Sequence, residues 1–113
     1  MDPVTSFGDT NTSYPSSVVE AMWEKAVRAA GPRSNSNADW GKDACGAWIR
    51  RGDYGRIGLS YAWKIGHIRP VSEGGNGLEN LQLLQWENNE SKEAGKLDCV
   101  VTSQGTTNVK VKK

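Results

Sequence analysis

The residues of this chain that are best suited to chemistry lie between positions 63 and 92. His67 is the single histidine in 113 residues, and an imidazole can accept a proton near neutral pH. Asn80 begins the stretch Asn-Leu-Gln, and Asn89 stands three residues before Lys92. An amide oxygen is a hard, neutral ligand of the type that Mg²⁺ accepts in proteins. A lone histidine is more often structural than catalytic, so the order and spacing of the whole set decide its meaning.

This order and spacing resemble the pattern of the HNH endonuclease family, in its cysteine-poor branch. The family pattern runs from a histidine at a strand end, through a proline and a glycine-rich loop, to Asn-Leu-Gln and a helix with Asn or His three residues before Lys. The corresponding stretches here are Gly-His67-Ile-Arg-Pro, residues 72–77, Asn80-Leu-Gln and Asn89-Glu-Ser-Lys92. With 22–25 and 43–49 as its lead-in, the resemblance covers about residues 18–102.

The resemblance implies a metal-dependent endonuclease, a phosphodiester hydrolase that cuts or nicks DNA, with RNA as the alternative nucleic acid. It assigns His67 the role of general base and Asn89 the role of ligand to one divalent ion, Mg²⁺ or Mn²⁺. Asn80 would hold the loop and orient the histidine through hydrogen bonds. Hydrolysis of a phosphodiester needs an activated water and a cation near the developing charge, which is the chemistry that this set would supply.

Four cationic side chains are the expected contacts to nucleic acid. The formal net charge is only +1, so binding must depend on local clusters of Lys and Arg rather than on the field of the whole protein. The resemblance suggests that Lys92 and Arg69 contact the phosphate. Arg50 and Arg51 would add affinity for the backbone without reading the sequence.

The chain departs from the family pattern at Gly66, where most members have an aspartate that shares the metal. Related non-specific nucleases of the same ββα-metal architecture resemble this chain in having Gly before the histidine and one Asn that holds a hydrated Mg²⁺. The alternative function is a catalytically degenerate module that binds nucleic acid or inhibits a protein partner. A third interpretation, a small structural domain unrelated to nucleases, would make the motif accidental.

The two cysteines do not form a metal-binding pattern. Many family members carry four zinc-binding cysteines around the motif, and the corresponding positions here are Lys42, Cys45, Gln85 and Asn88, so no structural zinc is expected. Cys45 and Cys99 lie far apart in sequence and form no CxxC pair. A disulfide is possible, but the sequence favours two reduced thiols in the core.

Hydrophobic periodicity predicts the elements that must position these residues. Ser17 and Glu20 can form a capping box, and apolar residues recur at helical spacing until Gly31, which predicts an amphipathic packing helix. Strands are predicted at 44–50 and 61–65, the second ending just before His67, with a flexible loop at 72–77. Apolar packing resumes at 81–84, followed by a short helix over about 85–94 that Gly95 stops.

Two further strands, at 98–102 and 107–111, would close as a terminal hairpin. Together with the resemblance, these elements predict an α+β fold: a ββα-metal (HNH) core with an N-terminal packing helix and a C-terminal β-hairpin. The length allows a single domain at 16–113, preceded by a flexible N-terminal tail at 1–15.

The sequence shows neither a membrane span nor a signal peptide, which predicts a soluble, cytoplasmic protein without a membrane partner. It does not determine the oligomeric state.

Overall fold

The computed structural model describes residues 14–31, 39–92 and 96–111, and within them the chain is an α+β fold, as predicted. Its described strands form three two-stranded antiparallel sheets, β1–β2, β3–β4 and β5–β6. The predicted tail at 1–15 lies outside the described residues, except for its last two positions. The bounds of the elements, in chain order, are α1 (Ser16–Ala30), β1 (Trp40–Lys42), β2 (Trp48–Arg50), β3 (Trp63–His67), α2 (Val71–Gly74), β4 (Leu81–Gln85), α3 (Trp86–Ser91), β5 (Val101–Gln104) and β6 (Thr107–Lys110).

Helix α1 confirms the predicted amphipathic helix and ends at Ala30, because the next residue, Gly31, has a φ of 89°, which lies outside helical backbone. The predicted capping box is wrong, because the N-cap is Pro15 and no side chain caps the first turn. The buried face of α1 packs directly on β1. A Cβ at Gly41 would lie 2.6 Å from the Cβ of Ala26, so the close approach of helix and strand requires glycine there. The buried residues of α1 are Val19, Met22, Trp23 and Ala26.

The hairpin β3–β4 forms the centre of the core. Its register pairs Trp63 with Gln85 and His67 with Leu81, so the predicted strand extends through the histidine. The Trp63 indole is fully buried and stacks on Trp23 with a centroid distance of 5.2 Å. Aromatic and aliphatic burial of this kind is the main source of stability in a domain of this size.

The strand predicted at 44–50 is wrong in its first half. Residues 43–47 form a turn between β1 and β2, because one carboxylate oxygen of Asp43 accepts hydrogen bonds from the backbone N–H groups of Cys45 and Ala47, each at 2.8 Å. Gly46 adopts a φ of 81°, which a turn tolerates and a strand does not. Local side-chain bonding therefore replaces the ladder that the apolar run suggested.

The C-terminal hairpin is confirmed as β5–β6, with Val101 opposite Lys110, but β5 begins three residues later than the strand predicted at 98–102 and includes part of the predicted turn. Helix α3 is shorter than predicted: it ends at Ser91, and Lys92 is extended with φ −70° and ψ 136°. The end predicted near Ala94 and Gly95 lies outside the described residues. Throughout the described ranges, none of the helices combines the length and the apolar character needed to cross a membrane.

A disulfide joins Cys45, in the turn after β1, to Cys99, just before β5. The expectation of two reduced thiols is therefore wrong. The two Cα atoms are 5.6 Å apart although 54 positions separate them in sequence. Their proximity results from the packing of the β1–β2 turn against the segment after α3, which sequence spacing does not reveal.

Candidate functional site

His67 is the last residue of β3 and is only 7% exposed. Its Nε2 lies 3.1 Å from Oδ1 of Asn76, which belongs to the loop between α2 and β4. The β3–β4 pairing places Leu81 opposite His67. Asn80, which precedes Leu81, therefore lies beside Ile68, which follows His67. The backbone of His67 is thus part of the regular β3–β4 pairing, and its ring contacts a side chain of the loop.

Asn80 occupies this adjoining position, at the end of a 3₁₀ turn formed by Leu78–Asn80. Its backbone carbonyl accepts a hydrogen bond from the N–H of Ile68 at 2.8 Å. Its side chain accepts a bond from the Arg69 N–H at 3.0 Å and donates to the carbonyls of Arg69 and Gly75 at 3.0 and 2.7 Å. Asn80 therefore joins both ends of the segment 69–75, and its predicted role in holding the loop has a direct geometric basis.

The buried amide of Asn80 needs glycine next to it. A Cβ at Gly74 would lie 2.6 Å from both Cγ and Oδ1 of Asn80, a distance at which atoms must move apart. Gly75 has a φ of 77°, which favours glycine and turns its carbonyl toward the Asn80 side chain. The two glycines, which the sequence showed only as a flexible loop, are thus required by the position of one asparagine.

Helix α3 follows β4 without a linker and packs on both β3 and β4. Gln85 caps it, because its Oε1 accepts hydrogen bonds from the N–H groups of Glu87 and Asn88 at 2.9 and 3.4 Å. Asn89, the predicted metal ligand, lies on the buried side of this helix and is 2% exposed. The hairpin and the helix are therefore contiguous, and Asn89 is a buried amide within that unit.

A buried polar network that the sequence analysis missed lies under the start of α3. One oxygen of the Asp43 carboxylate accepts bonds from the N–H of Gln85 at 2.8 Å and from the side-chain amide of Asn88 at 3.0 Å. Asn88, fully buried, also donates to the carbonyl of Val101 and accepts from the N–H groups of Val100 and Val101. Burial raises the pKa of Asp43, and its four hydrogen bonds oppose that rise.

This network occupies positions that the sequence analysis compared with zinc cysteines. Gln85 and Asn88 belong to the network, and Cys45 belongs to the disulfide. In the sequence, the sign of this buried network is the pair of amide side chains Gln85 and Asn88, at positions where an apolar core or a metal site was expected. A buried amide indicates a partner elsewhere, although sequence does not say which one.

The predicted cationic residues fall into two groups. Arg69 is exposed and adjoins the histidine through the Asn80 contacts, whereas Lys92 follows α3 and is only 6% exposed. Arg50 and Arg51 pair with Asp39 and Glu20 and lie near the start of β3, since the Trp63 indole donates to the Arg50 carbonyl at 2.8 Å. A five-residue strand is about 13 Å long, so Arg50 and Arg51 are not brought beside His67.

Metal binding by the described residues would depend on few protein ligands. Among residues 14–31, 39–92 and 96–111, no three side chains of His, Cys, Asp or Glu form a group that could hold an ion. The amide of Asn89 suits Mg²⁺ chemically, because this ion prefers oxygen ligands and retains several waters. Asn89 is the one ligand assigned to an ion here, so the remaining ligands of such an ion would have to be water or substrate oxygens.

Comparison of the sequence with protein-family models found no match. The searches of curated proteins and of solved structures likewise found no significant similarity. The functional conclusion therefore depends on the residues of this chain and on the geometry that connects them.

Proposed function

We propose that this protein is a metal-dependent HNH-type endonuclease that hydrolyses or nicks DNA phosphodiester bonds. The observation that carries the proposal is the junction of His67 and Asn80 at one end of the β3–β4 hairpin. The backbone bond between Ile68 and Asn80 brings these two residues together, and the Asn80 side chain closes the loop beside the histidine. This hydrogen-bonded pairing supports a site rather than an isolated core histidine.

The ββα-metal core belongs to the same proposal. Strand β3, strand β4 and helix α3 follow one another in the order that such a core requires, and α3 packs on both strands. A structure of the HNH class would use β3 for the base and α3 for the ligand. The N-terminal helix α1 packs on β1 and β4, and the Asn88 side chain bonds the start of β5 to α3.

The proposed reaction is the attack of water on phosphorus with loss of one ester oxygen. His67 would take the proton of the attacking water, which forms the new P–O bond as the bond to the leaving oxygen breaks. The leaving oxygen takes a proton from solvent. Arg69, held at its backbone by Asn80, would attract the phosphate with its guanidinium group. A histidine that is already oriented needs little rearrangement when the substrate arrives.

Asn89 would be the protein ligand of one Mg²⁺ or Mn²⁺ ion. When bound, such an ion supplies positive charge that stabilises the developing charge on phosphate oxygens. Lys92 directly follows the helix, and it is the second cation that the proposal assigns to the phosphate. DNA is the proposed substrate and RNA the alternative. Disulfides persist mainly in oxidising compartments, so the Cys45–Cys99 bond does not favour the cytoplasmic location predicted from the sequence.

Supercoiled plasmid tests this proposal. The protein and a His67→Ala variant purified in parallel are incubated with plasmid in Mg²⁺, in Mn²⁺ or in EDTA. We expect metal-dependent nicking that falls by at least about a hundredfold in the variant, because a general base contributes a factor of that order. Nicking that is equal in both samples would show a contaminant, and plasmid that stays intact throughout would reject the nuclease.

The second candidate function is a catalytically degenerate module that binds nucleic acid or inhibits a protein partner. It is favoured by the burial of Asn89 and Lys92, which leaves few polar atoms open to an ion or a phosphate. Gly66, in the position where the resembled family has an aspartate, points in the same direction. A gel-shift measurement on the same plasmid separates the two, since the module would retard DNA without nicking it.

A further inference from the structure

We propose that Asn76 is a positioning residue that selects the tautomer of His67, with the proton on Nε2 and the basic lone pair on Nδ1. This inference rests on the proposed function, because it names the nitrogen that would take the proton from water. It concerns a residue to which the sequence pattern assigned no role.

The hydrogen bond between the side chains of Asn76 and His67 determines which ring nitrogen of the histidine carries the proton. Oδ1 of Asn76 lies 3.1 Å from Nε2 of His67, and an amide oxygen has no hydrogen to donate. The bond therefore requires an N–H on Nε2. In a neutral imidazole only one nitrogen carries a proton, so Nδ1 is then the acceptor. In the other tautomer the lone pair on Nε2 would face the Asn76 oxygen, and the two atoms could form no hydrogen bond.

The loop holds Asn76 in place through Asn80. The carbonyl of Gly75, the residue immediately before Asn76, accepts a hydrogen bond from Nδ2 of Asn80 at 2.7 Å. The same Nδ2 also binds the carbonyl of Arg69, close to the histidine along the chain. One buried amide thus fixes both the strand end that carries His67 and the loop that carries its partner. Asn80 acts on the ring through Asn76.

The opposite arrangement has a distinct consequence that can be measured. If the Asn76 amide were turned around, its Nδ2 would donate to Nε2, and the proton would have to be on Nδ1. The two orientations therefore predict opposite tautomers. Because His67 is the only histidine in the chain, its ring nitrogens give one pair of ¹⁵N resonances without ambiguity.

The experiment is ¹⁵N NMR of the full chain, without metal or DNA, at about pH 8.5, where an ordinary imidazole is neutral. The shift of each ring nitrogen reports whether it carries a proton. We expect the proton on Nε2 in the wild type. Asn76→Ala removes the acceptor, and the ratio of the two tautomers should fall about fivefold to tenfold, the worth of one ordinary hydrogen bond. Asn76→Asp keeps an acceptor oxygen and should retain the proton on Nε2.

Ser72→Ala, an exposed substitution in α2 next to the same loop, is the matched control and should leave the tautomer unchanged. A proton on Nδ1 in the wild type, or the same ratio in wild type and Asn76→Ala, would overturn the inference. Plasmid nicking is measured separately on the same four proteins. Absent nicking with the expected tautomers would reject only the nuclease, whereas nicking with an unchanged tautomer ratio in Asn76→Ala would reject only the role of Asn76.

Discussion

The carboxylate of Asp43 accepts a hydrogen bond from the side-chain amide of Asn88 at 3.0 Å, across 45 positions of sequence. This bond joins the turn after β1 to the first turn of α3. The side-chain oxygen of Asn88 also accepts hydrogen bonds from the N–H groups of Val100 and Val101, at the start of β5. Three separate segments thus meet at one buried amide. The stability of α3, which carries Asn89, depends on this junction.

Asn88→Ala should lower the free energy of unfolding by about 3 kcal/mol, because it removes one of the four donors to the buried Asp43 carboxylate and takes the Asn88 bonds away from the Val101 carbonyl and from the N–H groups of Val100 and Val101. Urea unfolding measures the change. Gly52→Ala is a suitable control, since an added Cβ there has no atom within 4 Å. A loss below about 1 kcal/mol would mean that the network relaxes or takes up water.

The stability of the protein should decrease with rising pH through the contribution of Asp43. Burial raises its pKa in the folded protein, so the folded state binds the proton more tightly than the unfolded chain does. The stabilisation is fully present below the ordinary pKa of about 3.9 and is lost as pH rises through the elevated folded pKa. The urea midpoint of the wild type minus that of Asp43→Asn, measured between about pH 4 and 7, should therefore decrease as pH increases. A constant difference would contradict the shift.

Removal of the Cys45–Cys99 disulfide should cost about 4 kcal/mol, the loop-closure entropy of the 54-residue separation that it spans. The double substitution Cys45→Ser with Cys99→Ser and the reduced wild type should unfold at similar urea concentrations. Mass spectrometry after alkylation without reductant gives the independent readout. Two alkylated cysteines in native protein would show that the bond does not form.

Gly74→Ala should displace the Asn80 side chain, since the added Cβ would lie 2.6 Å from its amide atoms. Overpacking of this type costs about 1–3 kcal/mol and should shift the ¹⁵N resonances of His67 through the loop. Gly52→Ala serves again as the control, at a position where a Cβ meets open space. Unchanged His67 resonances in Gly74→Ala would mean that Asn80 does not position the ring.

Arg69→Ala should weaken DNA binding and reduce the slope of log K against log salt by about one, the value for a single phosphate contact. Arg50→Ala should change this slope less, because Arg50 pairs with Asp39 and lies at the other end of β3 from the histidine. Fluorescence anisotropy over a series of salt concentrations makes the measurement. Equal slopes for both variants would place the DNA across the whole hairpin face.

The sequence by itself predicted the parts of the fold that depend on local repeats. Helix α1, strand β3 and the hairpin β5–β6 follow from apolar spacing and from turn residues, which act over a few positions. The order of His67, Asn80 and Asn89 in a strand, turn and helix could also be predicted, because their motif spacing coincides with these elements.

Only the tertiary structure decided which distant side chains meet. The Cys45–Cys99 bond, the Asp43–Asn88 contact and the pairing of Arg50 with Asp39 depend on how the β1–β2 unit packs, and no local pattern encodes that packing. Residues 43–47 form a turn because the Asp43 carboxylate accepts hydrogen bonds from the N–H groups of Cys45 and Ala47. In a strand these N–H groups would point away from the carboxylate. The partner of the histidine ring, Asn76, was likewise set by loop closure: the sequence assigned Asn80 to hold this loop but gave no role to Asn76, which lay within the predicted flexible stretch.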